Sequence, residues 1–250
     1  GVTATATLAF TSTNWNAPQV LTVNGQDDNI IDGNQPYNVV FSATTTADTS
    51  YAALVPAPIA LTNLDDETAG FRISPISGDS REDGTPASFT IALQSEPSAD
   101  VTFTIASTDV TEGTIPQTAI TFTNANWNAP QAITVTGIDD NVADGNQPYH
   151  IQFGAATSTD ADYAGLTPAA VAVTNIDDES AGFLVTTIDG TSSEAGDQAS
   201  FSIALTSEPT ADVTVHFASS NPAEGVTSLN ELTFTVADYN APQVVTITGV

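Results

Sequence analysis

The chain repeats itself every 112 residues without slippage. Asn14-Trp15-Asn16-Ala17-Pro18-Gln19 returns as Asn126-Trp127-Asn128-Ala129-Pro130-Gln131, and in altered form as Tyr239-Asn240-Ala241-Pro242-Gln243. Asp27-Asp28 recurs as Asp139-Asp140, and Asp65-Asp66-Glu67 as Asp177-Asp178-Glu179. Glu82, Glu96-Pro97 and Glu112-Gly113 return as Glu194, Glu208-Pro209 and Glu224-Gly225. A period this long is domain-sized, so each unit can enclose its own core, unlike the unit of a short solenoid. Tandem copies suit a spacer, stalk or filament better than an enzyme.

The 250 residues hold two periods and a remainder. Residues 67–178 read as one complete unit, 1–66 as the C-terminal part of a unit before it, and 179–250 as the N-terminal part of a third. Gly1 aligns with Gly113 and Gly225, inside a unit, so the chain is expected to be a window on a longer array. The alternative is that the partial units of successive molecules complete one another in a filament.

Thirty acids face only Arg72 and Arg81, with no lysine, for a formal charge of −28. That sign excludes nucleic acid and anionic membrane surfaces as direct partners. Apolar residues make up 40% of the chain, enough for packed cores, so this is not a disordered acidic tail. The acids sit in clusters at repeated positions, which implies a counter-cation, most simply Ca2+. Without cysteine or lysine, neither a disulfide nor a Lys–Asn isopeptide can staple the units, and metal is the staple that remains. No Asn-x-Ser/Thr sequon occurs, which fits a bacterial secreted source.

Within 67–178, short runs alternate apolar with Ser/Thr residues and end in turn residues. Examples are Ala87, Phe89, Ile91 and Leu93, then Val101, Phe103 and Ile105, then Tyr149, Ile151 and Phe153. About seven such runs predict an all-β antiparallel sandwich with no helix. Trp127, with Trp15 and Tyr239 at the matching positions, reads as a core plug at a strand-to-strand corner. Between units, Thr174-Asn175-Ile176-Asp177-Asp178-Glu179-Ser180-Ala181-Gly182-Phe183 leaves almost no linker.

Three acidic elements recur per unit: the loop from Asp139-Asp140 to Asp144-Gly145, the joint Asp177-Asp178-Glu179, and the scattered Glu82, Asp109 and Glu112. Loops after alternate strands of a sandwich gather at one end, where the joint also lies. The carboxylates can therefore converge where units meet, and Ca2+ takes six to eight oxygens at about 2.3–2.6 Å. Isolated acids such as Asp48, Asp100, Asp160, Asp162 and Asp212 read as solvated.

The ordered run Thr121-Phe122-Thr123, Trp127 to Asp140, Asp144-Gly145, Tyr149 and Asn175 to Phe183 resembles the Calx-beta family. Its nearest likeness is to the tandem copies in very large bacterial surface proteins. That resemblance implies immunoglobulin-like sandwiches set end to end, with Ca2+ bound by loops at one end. Carried over by residue, it implies ligands at Asp139, Asp140, the Val142 carbonyl, Asp144, Asp177, Asp178, Glu179 and Glu82. In the preceding unit the roles fall on Asp27, Asp28, Asp32, Asp65, Asp66 and Glu67. In the trailing unit Glu194 and Glu224 match. Animal members carry a richer acidic stretch where this chain has Asn141, Asn146 and Gln147, which suggests one or two ions per joint.

These readings point to a non-enzymatic, calcium-rigidified repeat of a secreted or cell-surface rod or filament. Its partners would be calcium, its own neighbouring repeats and other copies of itself. The alternative is an adhesin module that grips carbohydrate or a protein through its Ser/Thr-rich faces. Catalysis is disfavoured: His150 and His216 fall at different phases of the repeat, and neither a cysteine nor a serine nucleophile motif is present.

Overall fold

The strand signals come from alternation, which holds most clearly in Val101–Ser107, Ala119–Phe122 and Gln147–Phe153. A computed structural model describes residues 2–3 and 7–250. No helix forms among the described residues, so none is long and apolar enough to cross a membrane. In the first segment, β1 (Val2–Thr3) pairs with β2 (Val23–Asn24), and β3 (Gln35–Val39) with β4 (Ile59–Asn63), both antiparallel.

The central segment forms a two-layer β-sandwich. One layer joins β5 (Phe71–Ile73), β7 (Ala87–Leu93), β11 (Gln131–Gly137) and β9 (Gly113–Thr114), in that spatial order. The other joins β10 (Ala119–Phe122), β8 (Val101–Ser107), β12 (Gln147–Phe153), β13 (Val171–Ile176) and β6 (Ser80–Arg81). All pairings in these layers are antiparallel except β13 with β6, which run parallel. Alternate residues of each strand face inward, as the period of two requires. Phe89, Ile91 and Val135 of one layer meet Phe103, Phe122 and Ile151 of the other in a single core. Phe89 packs edge-on against Phe153 with ring centroids 6.3 Å apart, and Phe71 against Phe103 at 5.3 Å.

The third segment repeats the first of these layers: β14 (Phe183–Val185), β15 (Gln198–Leu205), β19 (Gln243–Gly249) and β17 (Gly225–Thr227) follow the same spatial order. A separate ribbon pairs β16 (Val213–His216) with β18 (Glu231–Phe234). Ile203, Leu205, Leu232, Phe234, Tyr239 and Val245 form a second core.

The Asn-Trp-Asn-Ala-Pro-Gln motif builds the same corner three times. Asn126 accepts a hydrogen bond from the Thr123 amide, as Asn14 does from Thr11 and Asp238 from Thr235. Gln131 donates to the Thr121 carbonyl at 2.9 Å, as Gln19 does to Ala9 and Gln243 to Thr233. The corner is local chemistry; burial is not. Trp127 is 8% exposed and Tyr239 9%, whereas Trp15 is 70% exposed. Trp15 therefore does not plug a core here. Trp127 instead joins residues of β7 and β8 in the central core.

Candidate metal centre

The parallel pairing of β6 with β13 makes the site. It sets Asn175 opposite Ser80 and Ile176 opposite Arg81, so the next residue on each strand reaches the joint. The Glu82 amide donates to the Ile176 carbonyl at 3.2 Å. The Glu82 carboxylate then lies beside Asp178, whose amide donates to it at 3.4 Å. A side chain far earlier in sequence thereby joins the terminal acidic triplet.

Three carboxylate groups result. Glu82, Asp177 and Glu179 each bring one oxygen to within 4.8 Å of the others. Asp139, Asp178 and Glu179 do the same beside them, with Glu179 shared. At the earlier joint, Asp27, Asp66 and Glu67 repeat the second group one period upstream. Both joints are folded by the same bonds. Asp177 accepts from the amides of Gly145 and Glu179, and Asp65 from those of Gly33 and Glu67. Gly145 and Gly33 have φ of 81° and 71°, a left-handed turn that favours glycine.

The remaining predicted ligands are outside these groups. Asp140 folds its own loop by accepting from the Val142 amide at 2.7 Å, and Asp28 does so from Ile30 at 2.9 Å. The Val142 carbonyl accepts from the Asp144 amide at 2.8 Å. Asp32 contributes its carbonyl to the Gln35 side chain. Glu112 is tied to the cluster through Asn175 at 3.5 Å. Glu194 and Glu224 are exposed and outside the three groups.

A polar relay beneath the acids is not legible in the acidic motifs. Asn175 is 1% exposed and donates to Glu82 at 3.1 Å and to the Ile138 carbonyl at 2.9 Å. Ser80 lies behind it and exchanges a 2.8 Å bond with the Tyr149 hydroxyl. Asn175 fits because residue 137 is glycine: a Cβ there would overlap the Asn175 side-chain oxygen and lie 2.5 Å from the Arg81 carbonyl oxygen. Asn63 beside Gly25 repeats this arrangement and donates to the Gln26 carbonyl at 2.7 Å. The recurrence of Asn63 as Asn175 was the available signal. Asp160, expected to be solvated, is instead 6% exposed and caps a turn by accepting from the Ser98 and Asp162 amides.

Crowded carboxylates resist ionising together. Burial, and next the Glu179 carboxyl, push Glu82 up to about 7. Burial likewise raises Glu179 and Glu112. Asp177 is held low by the Glu179 and Gly145 amides. At the earlier joint the Asp65 side chain raises Glu67, while the bonds from Glu67 lower Asp65. One Glu179 carboxylate oxygen is buried with no hydrogen-bond partner. An orphaned oxygen among five carboxylates, in groups that hold no histidine or cysteine among the described residues, fits a hard divalent cation such as Ca2+.

No protein-family model matches the chain, and no curated protein matches it. Among solved structures it is similar to the calcium binding domain CBD12 of CALX1.1, at 14% identity and a TM-score of 0.34. The similarity covers 72% of this chain and 74% of that one.

Proposed function

We propose that the chain is a non-enzymatic structural repeat whose joints are stiffened by Ca2+, in a secreted or cell-surface rod or filament. The observation that carries this is the recurrence, one full period apart, of the same carboxylate triad at both joints: Asp27, Asp66 and Glu67, then Asp139, Asp178 and Glu179. Each triad combines a loop residue with two residues of the stretch between the last strand of one segment and the first of the next, so its closure ties the loop to the joint. The orphaned Glu179 oxygen and the likeness of the repeated motifs to the Calx-beta family support the same reading.

Glu82, Asp139, Asp177, Asp178 and Glu179 would hold the cation, which supplies the positive charge that two arginines cannot. Asn175 orients Glu82 from below, and Gly145 orients Asp177. One site at a hundredfold excess over Kd adds about 2.7 kcal/mol of stability. Chelation of calcium should lower the melting temperature and broaden the interdomain distances seen by small-angle scattering. A chain whose melting and scattering are the same in calcium and in chelator would remove the proposal. Glycan-array binding by the isolated chain would favour the adhesin reading instead.

A further inference from the structure

The Ser-Glu-Pro turn recurs as Ser95-Glu96-Pro97 and Ser207-Glu208-Pro209, and the cation site makes no use of it. Each copy reaches back across a joint. The Glu96 amide donates to the Asn29 carbonyl at 2.8 Å, and Ile30 and Glu96 form a parallel β-bridge. One period later, the Glu208 amide donates to the Asn141 carbonyl at 2.6 Å, and Val142 and Glu208 form the same bridge. The contacts are main-chain to main-chain, between segments that are otherwise separate in sheet and core.

The first copy is anchored on its own side. Ser95 is 1% exposed and Pro97 is buried. The Tyr163 hydroxyl, wholly inside the core, accepts from the Ser95 amide at 3.0 Å and donates to its carbonyl at 2.8 Å. The loop that this copy grips is the first acidic loop, which offers Asp27 to the carboxylate group on one side and the Asn29 carbonyl to the turn on the other. At this joint a path of contacts therefore runs from the central core, through the first turn and the loop it grips, to the carboxylate group of Asp27, Asp66 and Glu67.

We propose that the Ser-Glu-Pro turn is a docking element by which each unit takes hold of the acidic loop of the preceding unit. Whatever orders that loop then also sets the angle between units. The partner surface is a two-residue stretch of open main chain, so recognition depends on backbone donors and acceptors and not on the glutamate side chain. The link to calcium rests on the function proposed above; the docking itself does not.

Amide hydrogen exchange on the whole chain tests this directly. The Glu96 and Glu208 amides should exchange at least about tenfold more slowly than open-loop amides, and more slowly again in calcium than in chelator. Glu208→Ala keeps the donor and should leave both results unchanged. Glu208→Pro removes it, and should broaden the distance between spin labels placed at Thr118→Cys and Ser220→Cys. The chain has no cysteine of its own to interfere. The undisturbed Glu96 amide reports whether the Glu208→Pro chain is still folded at the other joint. Open-loop exchange at both glutamates in the unsubstituted chain overturns the docking element. Calorimetry showing no calcium uptake, with both amides protected, upholds it and overturns the calcium reading instead.

Discussion

Glu82→Gln should strengthen the calcium-free protein and abolish much of its response to calcium. Glu82 is 7% exposed, and its carboxyl is raised from 4.5 to about 7, first by burial and next by Glu179. A raised acid binds protons better in the folded chain than in the unfolded one. Stability without cation should therefore fall as pH rises from about 4.5 to about 7, and stay low above that. The full shift corresponds to about 3 kcal/mol above pH 8, but the cluster opens to water on one side, so about 1–2 kcal/mol is expected. Glutamine keeps the shape and removes the charge, so the variant should be more stable by that amount at pH 8 and equal to the parent at pH 4. With calcium at a hundredfold excess over its Kd, the parent should gain about 2.7 kcal/mol per site, and the variant under about 1. Unfolding followed by Trp127 emission in a Trp15→Phe background reports the central sandwich alone. A variant weaker than the parent in chelator at pH 8, or equally stabilised by calcium, would refute the reasoning.

Two further substitutions exploit the repeat as its own control. Trp127→Ala should cost about 3–5 kcal/mol by denaturant titration, whereas Trp15→Ala, at 70% exposure, should stay within about 0.5 kcal/mol. Asn175→Ala leaves the buried Glu82 carboxyl with one fewer donor and should cost about 1–3 kcal/mol in thermal melts. Asn63→Ala, half-buried and bonded to a single carbonyl, should cost under about 1 kcal/mol.

Local chemistry was legible in the chain itself. Alternation along Val101 to Ser107 or Gln147 to Phe153 declares a strand with one wet face, because side-chain direction depends only on the next residue's geometry. The Asn-Trp-Asn-Ala-Pro-Gln corner carries its own hydrogen bonds and folds alike in all three places. The acidic triplet and the loop before it announce a shared destination by recurring together. The motif places Trp127 in a core as expected, but Trp15 in the same motif is exposed, since identical residues sit in unlike surroundings.

What sequence determined by itself was periodicity, strand faces, turns and where negative charge gathers, all properties of neighbouring residues. Tertiary structure alone decided which carboxylates meet. Glu82 reaches Asp177 and Glu179 only because β6 pairs in parallel with β13, and Glu208 meets Asn141 only because the segments abut there. Those choices are made by strand register and core packing between residues far apart in the chain, which no local pattern encodes.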